Sequence, residues 1–330
     1  MEVKRQAQGA LGTSSRAHEG LRLTGIYVYP VKSAQGISVT EARAVATGFE
    51  YDRRWMVVDE QGRFVTQRTE PRLVFVKTAF ADGHLVLSSP GIGEVRVPLD
   101  DEPGDSAAVT VWSDTLLARE ESAEAARFFS DLLGAPHRLV RFPRTGERAV
   151  PSRGRRAGDA DDQDGQRGRS AGTASGGAAR EHGDDVSAPP GRTGRRVQFA
   201  DAYPFLLISQ GSLDMLNERL VARGEPAIGM ERFRPNLVVA GCEPHAEDTW
   251  ERLLIGDMRF DVAKPCARCV ITTVNGESAT YGVEPLRTLA TYRREAGKVL
   301  FGQNLVHHDE GVVSLDLPVR AFKRSALALS

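Results

Sequence analysis

Cysteine is scarce in this sequence, which has only Cys242, Cys266 and Cys269 in 330 residues. So few thiols in so long a chain exclude a disulfide scaffold, because such scaffolds are short and rich in cysteine. Free thiols are most simply kept in a reducing compartment. The sequence therefore predicts a cytoplasmic protein.

An excess of charge and long apolar runs are also absent. Lys and Arg number 43 against 44 Asp and Glu, which gives a net charge of −1. This balance argues against a dedicated nucleic-acid or membrane-surface binder. Residues 1–20 lack the apolar stretch of a signal peptide, and no later run is long enough to span a membrane. We expect neither membrane nor nucleic acid among the partners, and a disordered tail over 1–20.

What the sequence does contain is a series of short β patterns. Turn signals at Gln61-Gly62 and Asp82-Gly83 predict two hairpins, the second pairing Leu73–Val76 with Leu85–Leu87. Ser122 predicts the cap of a helix that Gly134 ends. Short strands separated by turns are typical of a barrel-like or folded-sheet domain, here over 21–142.

Residues 143–197 have a different composition, dominated by Arg, Asp, Gly and Ser. Such a segment buries too little apolar surface to offset its ordering entropy, so we expect a disordered insertion over 143–197, of which residues 144–196 are dispensable. An arginine-rich loop touching nucleic acid is the alternative, but the interleaved aspartates favour a solvated linker.

Regular patterns resume after the insertion and predict a second domain over 198–322, with a tail over 323–330. Phe205–Ile208 and Leu237–Ala240 have the composition of buried strands. Helical spacing predicts one helix starting at Ser212 and another from Glu284 to Arg294.

The most reactive stretch places two thiols three residues apart, at Cys266 and Cys269. Pro265 disfavours a regular strand before it, whereas Val270–Val274 is β-branched, so we expect Cys266 in a turn and Cys269 at the start of a strand. Flanking positive charge favours a thiolate, and hence a metal ligand or nucleophile. Two inert structural cysteines and a zinc half-site remain alternatives, because this spacing alone is a weak signal.

Three cations stand at the predicted ends of strands, namely Lys32, Arg53 and Arg234. Guanidinium groups bind phosphate through paired donors, so these side chains are candidates for converging on an anion. Separate surface ion pairs are the alternative reading of the same residues.

Several motifs, spaced in one order along both halves, resemble those of MOSC-domain proteins. Those before the insertion are Tyr29-Pro30-Val31-Lys32-Ser33, Asp52-Arg53-Arg54-Trp55 and Glu70-Pro71-Arg72-Leu73. Those after it are Arg232-Phe233-Arg234-Pro235-Asn236, Gly241-Cys242, Ala246-Glu247-Asp248, Leu254-Ile255-Gly256, Cys266-Ala267-Arg268-Cys269, Thr272-Thr273, Glu284-Pro285-Leu286 and Phe301-Gly302-Gln303. Within the family, the chain is most similar to the mitochondrial amidoxime-reducing component and its bacterial relatives.

This resemblance implies an α+β, mainly β fold, with an N-terminal β-barrel-like domain and a C-terminal MOSC β-barrel with a few helices. It also implies a molybdenum cofactor, which is a molybdopterin with a phosphate tail and a bound molybdenum. The second cysteine of the Cys-x-x-Cys is the family's protein ligand to the metal. That role, catalytic and metal-binding, falls on Cys269.

The resemblance further implies which residues hold the pterin and its phosphate: Lys32, Arg53, Arg234 and Asn236. Ser33, Asp201 and Asn304 are predicted to bind the cofactor as well: Ser33 follows Lys32 in the first motif, and Asp201 matches an aspartate at the pocket edge. Asn304 lines the pocket where the relative has an aromatic residue. Together with Ala202 and Tyr203, which replace small hydroxyl residues, Asn304 leaves substrate preference open.

The implied reaction is the two-electron reduction of N-hydroxylated compounds such as amidoximes, hydroxylamines and N-hydroxylated bases. No cysteine follows Cys269, so an appended iron–sulfur domain is not expected. A separate ferredoxin or flavoprotein reductase is the expected electron donor. The alternatives are a sulfur-transfer role and a carrier or binding protein for the molybdenum cofactor without turnover.

Overall fold

The structure is a computed structural model that describes residues 20–100, 104–144, 146, 148 and 196–324. The predicted tails over 1–20 and 323–330 and the predicted insertion over 143–197 lie largely outside these residues. Strands predominate in the described ranges, and the predicted α+β, mainly β fold class is confirmed.

The described residues form nineteen strands and three α-helices. The strands up to residue 142 are β1 (Leu21–Val28), β2 (Ile37–Val39), β3 (Glu41–Val45), β4 (Gly48–Phe49), β5 (Trp55–Val58), β6 (Lys77–Ala81), β7 (His84–Ser89), β8 (Gly93–Pro98), β9 (Ser106–Val111), β10 (Asp114–Glu120) and β11 (Arg138–Arg141). The later strands are β12 (Phe205–Ser209), β13 (Leu237–Ala240), β14 (Trp250–Ile255), β15 (Met258–Ala267), β16 (Arg294–Glu295), β17 (Lys298–His307), β18 (Gly311–Ser314) and β19 (Pro318–Lys323). The helices are α1 (Ala123–Leu133), α2 (Gln210–Val221) and α3 (Leu286–Ala290).

Seven of these strands close into a barrel in the order β12, β13, β1, β19, β14, β15, β17, because β12 also pairs with β17. Only β12 and β13 are parallel; the other neighbours in the ring run antiparallel. Alternate side chains of a closed sheet point inward and fill its interior. Leu23, Phe205 and Phe260 belong to this core, and the last two rings meet edge to face at 5.4 Å.

A second core lies under the sheets of the first half, where β5, β11, β10 and β9 form one sheet and β6, β7 and β8 another. Helix α1 packs here through Phe128 and Phe129, in one cluster with Trp55. The predicted bounds of this helix are confirmed, because Ser122 accepts a hydrogen bond from the Ala125 amide and Gly134 ends it at φ 69°. A positive φ suits glycine, which has no Cβ to clash.

The two halves of the chain share their sheets. Strand β1 lies in the barrel between β13 and β19, and β3 pairs with β18. The loop after β1 and the loop before β5 therefore lie against residues that follow the insertion. This arrangement brings Lys32 and Arg53 beside Asp201 and Arg234.

The prediction for the cysteine stretch was wrong on both sides of Arg268. Cys266 lies in β15, whose ladder with β17 is irregular around Pro265, so a residue without an N–H is tolerated there. The predicted strand over Val270–Val274 is instead a 3-10 helix over Val270–Thr273. The hydroxyl of Thr272 donates to the Cys269 carbonyl at 2.9 Å, and such local bonds compete with an extended ladder.

Three other predicted elements need correction. The segment Leu73–Val76 lies mostly in a 3-10 helix over Pro71–Phe75, where proline in the first turn loses no hydrogen bond, and the hairpin partner of β7 is β6. The first hairpin is reduced to a single bridge between Val58 and Phe64. The helix predicted from Glu284 to Arg294 is only α3, five residues long.

Candidate functional site

Lys32 and Asp201 form one of the contacts between the two halves at the candidate site. Lys32 is 5% exposed, and its ammonium donates to the Asp201 carboxylate and, at 2.8 Å, to the Phe199 carbonyl. Burial lowers the pKa of Lys32 to about 8, although Asp201 opposes this shift. Burial alone would raise the pKa of Asp201, but Lys32 and Arg68 hold it well below its usual range. Asp201 is therefore an anion throughout the physiological range.

Asp52 organises a second set of contacts around Arg53. Its carboxylate accepts hydrogen bonds from the Tyr29 amide at 2.8 Å, from Arg53 Nη1 at 2.6 Å and from Asn236 Nδ2 at 3.1 Å. Arg53 Nη1 also donates to Asn236 Oδ1 at 3.2 Å, and its Nη2 donates to the Arg234 carbonyl at 3.3 Å. The predicted residues Arg53, Asn236 and Arg234 are thus in one hydrogen-bonded cluster.

Arg234 and Arg53 both place a guanidinium group against the ring of Tyr29. Both Arg53 and Arg234 lie 4.4 Å from the centroid of the Tyr29 ring, measured from the guanidinium carbon. Burial, and secondly the charge of Arg53, lower the pKa of Arg234 to about 10. Arg234 Nη1 donates to the Ala34 carbonyl, but Nη2 and the Tyr29 hydroxyl are buried without a hydrogen-bond partner among the described residues. These two groups are suited to an acceptor-rich ligand.

The two cysteines meet different arginines. Arg68 Nη2 lies 3.4 Å from Cys269 Sγ, whereas Arg268 Nη1 lies 3.0 Å from Cys266 Sγ. Arg68 also donates to Asp201 at 3.5 Å, so Cys269 is linked through Arg68 and Asp201 to Lys32. Among the described residues, Cys266 has no such link to Asp201 or Lys32. The geometry therefore separates the two thiols.

Ser33 and Asn304 lie at the margins of these clusters. Ser33 is 5% exposed, at φ 69°, and its carbonyl accepts a hydrogen bond from Gln67 Nε2 at 2.6 Å. Asn304 lies on β17, opposite Lys264 of β15, and its amide is 3.4 Å from the carbonyls of Lys264 and Pro265. Their roles as cofactor-binding residues stay predictions.

Sequence reasoning missed Arg68 and gave no role to Tyr29, Asp52 or Trp112. Trp112 Nε1 donates to Asp201 at 3.3 Å, and its ring lies 4.8 Å from the Arg68 guanidinium carbon. Tyr29 and Asp52 stand in the quoted motifs, and an acid directly before Arg53 was a usable signal. Arg68 and Trp112 lie outside the quoted motifs, so only the fold brings them to the site.

The sequence of this chain matches two domain families. Residues 20–136 match the MOSC N-terminal beta barrel domain, and residues 194–320 match the MOSC domain. The chain thus belongs to the MOSC-domain family, as its motifs predict.

Named relatives within this family extend over most of the chain. Mitochondrial amidoxime-reducing component 1 of Mus musculus is 32% identical over 310 residues, which is 89% of this chain and 80% of the relative. Its Homo sapiens counterpart is 30% identical over 309 residues, 89% and 81% of the two chains. The crystal structure of the YUAD protein from Bacillus subtilis aligns with 94% of this chain and 100% of its own at 10% identity, with a TM-score of 0.39 that is too low to bear on the fold.

Two further findings concern metals and membranes. Across residues 20–100, 104–144, 146, 148 and 196–324, no group of three or more His, Cys, Asp and Glu side chains is arranged to hold a metal ion. No helix in the part of the chain that the structure describes is both long and apolar enough to cross a membrane.

Proposed function

We propose that this chain is a molybdenum-cofactor-dependent oxidoreductase that reduces N-hydroxylated compounds, such as amidoximes, hydroxylamines and N-hydroxylated bases. The observation that carries the proposal is that cations from both halves meet: Arg53 and Arg234 lie against one ring, that of Tyr29, and Lys32 is linked through Asp201 and Arg68 to the Cys269 thiol. The names of the relatives, amidoxime-reducing components, support the choice of reaction.

The residues present fit a phosphate-bearing pterin. Arg234 Nη2 and the Tyr29 hydroxyl are buried donors without a partner among the described residues. A buried unsatisfied donor costs about 1–3 kcal/mol, and a phosphate oxygen would remove that cost. Arg53 lies beside these two donors and pairs with Asp52. The single carboxylate of Asp52 compensates only part of the positive charge, because Arg53 and Arg234 carry two charges that repel each other. This cluster favours an anion.

In this proposal, Arg53, Arg234, Asn236 and Lys32 hold the phosphate and the pterin. Ser33, Asp201 and Asn304 contact the same cofactor. Cys269 is the protein ligand to molybdenum. When bound, the cofactor supplies the redox chemistry. The protein supplies a fixed thiolate, the cations that bind and orient the anion, and a carboxylate, Asp201, that stays ionised.

The overall reaction fixes what else is needed. Reduction of an amidoxime breaks its N–O bond, consumes two electrons and two protons, and yields an amidine and water. A separate ferredoxin or flavoprotein reductase is our proposed source of the electrons. The cytoplasmic location stays a prediction from the scarcity of cysteine.

The first experiment is metal and pterin analysis of the purified full chain, followed by turnover of an amidoxime with a reduced dye. We expect molybdenum near one per chain and amidine formation that Cys269→Ala abolishes. Molybdenum without turnover would instead support a carrier or a sulfur-transfer protein. Zinc in place of molybdenum would contradict the proposal.

A further inference from the structure

Arg68 is the one cation of the site that touches the proposed metal-binding thiol among the described residues. Its side chain is 14% exposed, and Nη2 lies between Cys269 Sγ at 3.4 Å and Asp201 Oδ2 at 3.5 Å. The other terminal nitrogen, Nη1, is buried and has no hydrogen-bond partner in the described part of the chain. One end of the guanidinium is therefore committed, and the other offers a free donor.

The backbone that carries Arg68 is fixed from both halves of the chain. The Arg68 amide donates to Thr66 Oγ1 at 3.2 Å, and the Gln67 side chain donates to the Ser33 carbonyl at 2.6 Å. From the other side, the Tyr281 hydroxyl donates to the Gln67 carbonyl at 2.9 Å. This turn is thus anchored beside the loop that carries Lys32 and beside the segment that follows Cys269.

The guanidinium itself has little freedom. Trp112 lies 4.8 Å from its central carbon and donates to the same carboxylate, that of Asp201. Arginine loses less conformational entropy per hydrogen bond than lysine, because its planar fork is preorganised. A buried, preorganised donor without a partner costs free energy unless a ligand atom satisfies it.

We propose that Arg68 is a binding and positioning residue: Nη2 holds the sulfur of Cys269, and Nη1 binds the oxygen atom of a ligand seated against that sulfur. This inference adds a residue that lies outside the motifs given above. Its substrate part rests on the proposed function, for which the ligand oxygen is that of the N-hydroxyl group. Its chemical part, that Arg68 is an oxygen-binding donor beside the thiol, is independent of the proposed function.

The chemical part is tested on the full chain prepared without cofactor, by alkylation of Cys269 with iodoacetate and iodoacetamide. Mass spectrometry of the peptide reads Cys269 separately from Cys266. The two reagents differ by a carboxylate, so the ratio of their rates at one pH reports carboxylate binding beside the sulfur and cancels the thiolate fraction. We expect Arg68→Met to lower this ratio about tenfold, as loss of a charged hydrogen bond implies.

Arg68→Lys should lower the ratio less, because it keeps the charge and loses the planar fork. The matched control is Arg63→Met, which removes an exposed arginine of the same loop region and should leave the ratio unchanged. A ratio that is unchanged in Arg68→Met would overturn the proposal. If Arg68→Met fails to fold, Arg68→Lys decides, and a wild-type ratio in that variant counts against the role of the fork.

The substrate part uses the loaded enzyme and an amidoxime, with rates normalised to molybdenum content. Arg68→Met should lower kcat/KM at least about tenfold, and Arg68→Lys should recover part of the loss. Equal kcat/KM in Arg68→Met and wild type would reject this part. If the loaded wild type does not turn over, the proposed function fails, while the reagent ratio still decides the role of Arg68.

Discussion

At the scale of single residues, the arrangement around Tyr29 is unusual in its charge. Two guanidinium groups lie 4.4 Å from one ring centroid, with Asp52 bonded to only one of them in the described residues. Cation–π contact offsets part of the cost of burying them, but it leaves the repulsion between Arg53 and Arg234. A bound anion removes that repulsion, which is why we expect occupancy to depend on these two side chains.

We expect Arg53→Ala and Arg234→Ala each to lower the pterin content per chain, because a charged hydrogen bond contributes roughly 1.5–3 kcal/mol. Arg234→Ala should have the larger effect, since its Nη2 is free for the ligand whereas Arg53 is engaged by Asp52. Lysine at either position should restore occupancy only in part. Pterin fluorescence of the purified variants measures this.

Thermal melts accompany the same variants. A ligand that binds only the folded chain adds ~2.7 kcal/mol of stability at a hundredfold excess over its dissociation constant, so variants with low occupancy should melt lower. Exposed Arg63→Ala is the matched control. Full pterin content in both site variants would mean that these arginines do not bind the cofactor.

The two thiols should also differ in function. Cys269→Ala is expected to abolish reduction, whereas Cys266→Ala should leave most of it, because within the described part of the chain only Cys269 is linked through Arg68 to Asp201 and Lys32. Turnover and molybdenum content of both variants are the measurements. Equal loss in the two variants, with zinc in the preparation, would contradict the assignment.

Lys32 gives the site a pH dependence of known sign. Its folded pKa of about 8 lies below the ordinary value of 10.5, so between these values the unfolded chain binds more protons than the folded chain. Its contribution to the free energy of unfolding therefore increases with pH in that window. Without cofactor, wild type should gain stability relative to Lys32→Met between pH 8 and pH 10, as measured by urea unfolding. A difference that is constant or narrows with pH would count against this shift.

At the scale of elements, local hydrogen bonds determined the secondary structure of two segments whose composition predicts strands. Val270–Thr273 and Leu73 have strand-like composition, yet both lie in 3-10 helices. The threonine hydroxyls bond to carbonyls three residues earlier, and Pro71 occupies a first turn, neither of which a count of β-branched residues includes. Where capping residues and periodicity agreed, as at Ser122 and Gly134, the bounds were predicted to the residue.

The cap of α1 provides a prediction at this scale. Ser122→Ala removes the acceptor for the Ala125 amide and should lower the free energy of unfolding by about 1 kcal/mol. Pterin content should stay at the wild-type level, since the lost hydrogen bond lies at the cap of α1 and involves no residue of the candidate site. Urea unfolding and pterin analysis of one preparation test both halves of this statement. A change in pterin content with unchanged stability would contradict the assignment of a structural role to the cap of α1.

The same contrast applies to the candidate site. Lys32, Arg53, Arg234 and Cys269 stand in motifs, so their types and order could be predicted. Arg68 could not, because it lies just outside the Glu70-Pro71-Arg72-Leu73 motif and its contacts to Cys269 and Asp201 span 201 and 133 residues of chain. Long-range convergence is a property of the barrel rather than of any local pattern.

At the scale of the whole molecule, the contacts of Arg148 show that the predicted dispensable segment, 144–196, includes a residue that binds to the rest of the chain. Arg148 donates to Asp114 at 2.8 Å and to the Gln198 carbonyl at 3.2 Å, and its own carbonyl accepts from the Val197 amide at 2.8 Å. Residues 148 and 197 are therefore neighbours, and a short linker can join them.

Replacing residues 150–195 with a Gly/Ser linker should preserve melting temperature and turnover, because changing loop length costs only ~0.6 kcal/mol per doubling. Replacing 144–196 also removes Arg148 and should lower the melting temperature. The difference between the two deletions isolates the contribution of 144–149 and 196. A large loss in the shorter deletion would show that 150–195 contribute to the fold.

The position of β1 has a consequence for how the protein is made. Arg22 pairs with Ala240 on one side and with Pro318 on the other, so β1 can complete its pairing only after β19 has been synthesised. Contacts so distant in sequence are slow to form. A chain that stops before residue 318 leaves one edge of β1 without its neighbour, and an open edge is a template for pairing with other chains. Truncation before residue 318 should therefore yield aggregates rather than a shortened, folded protein.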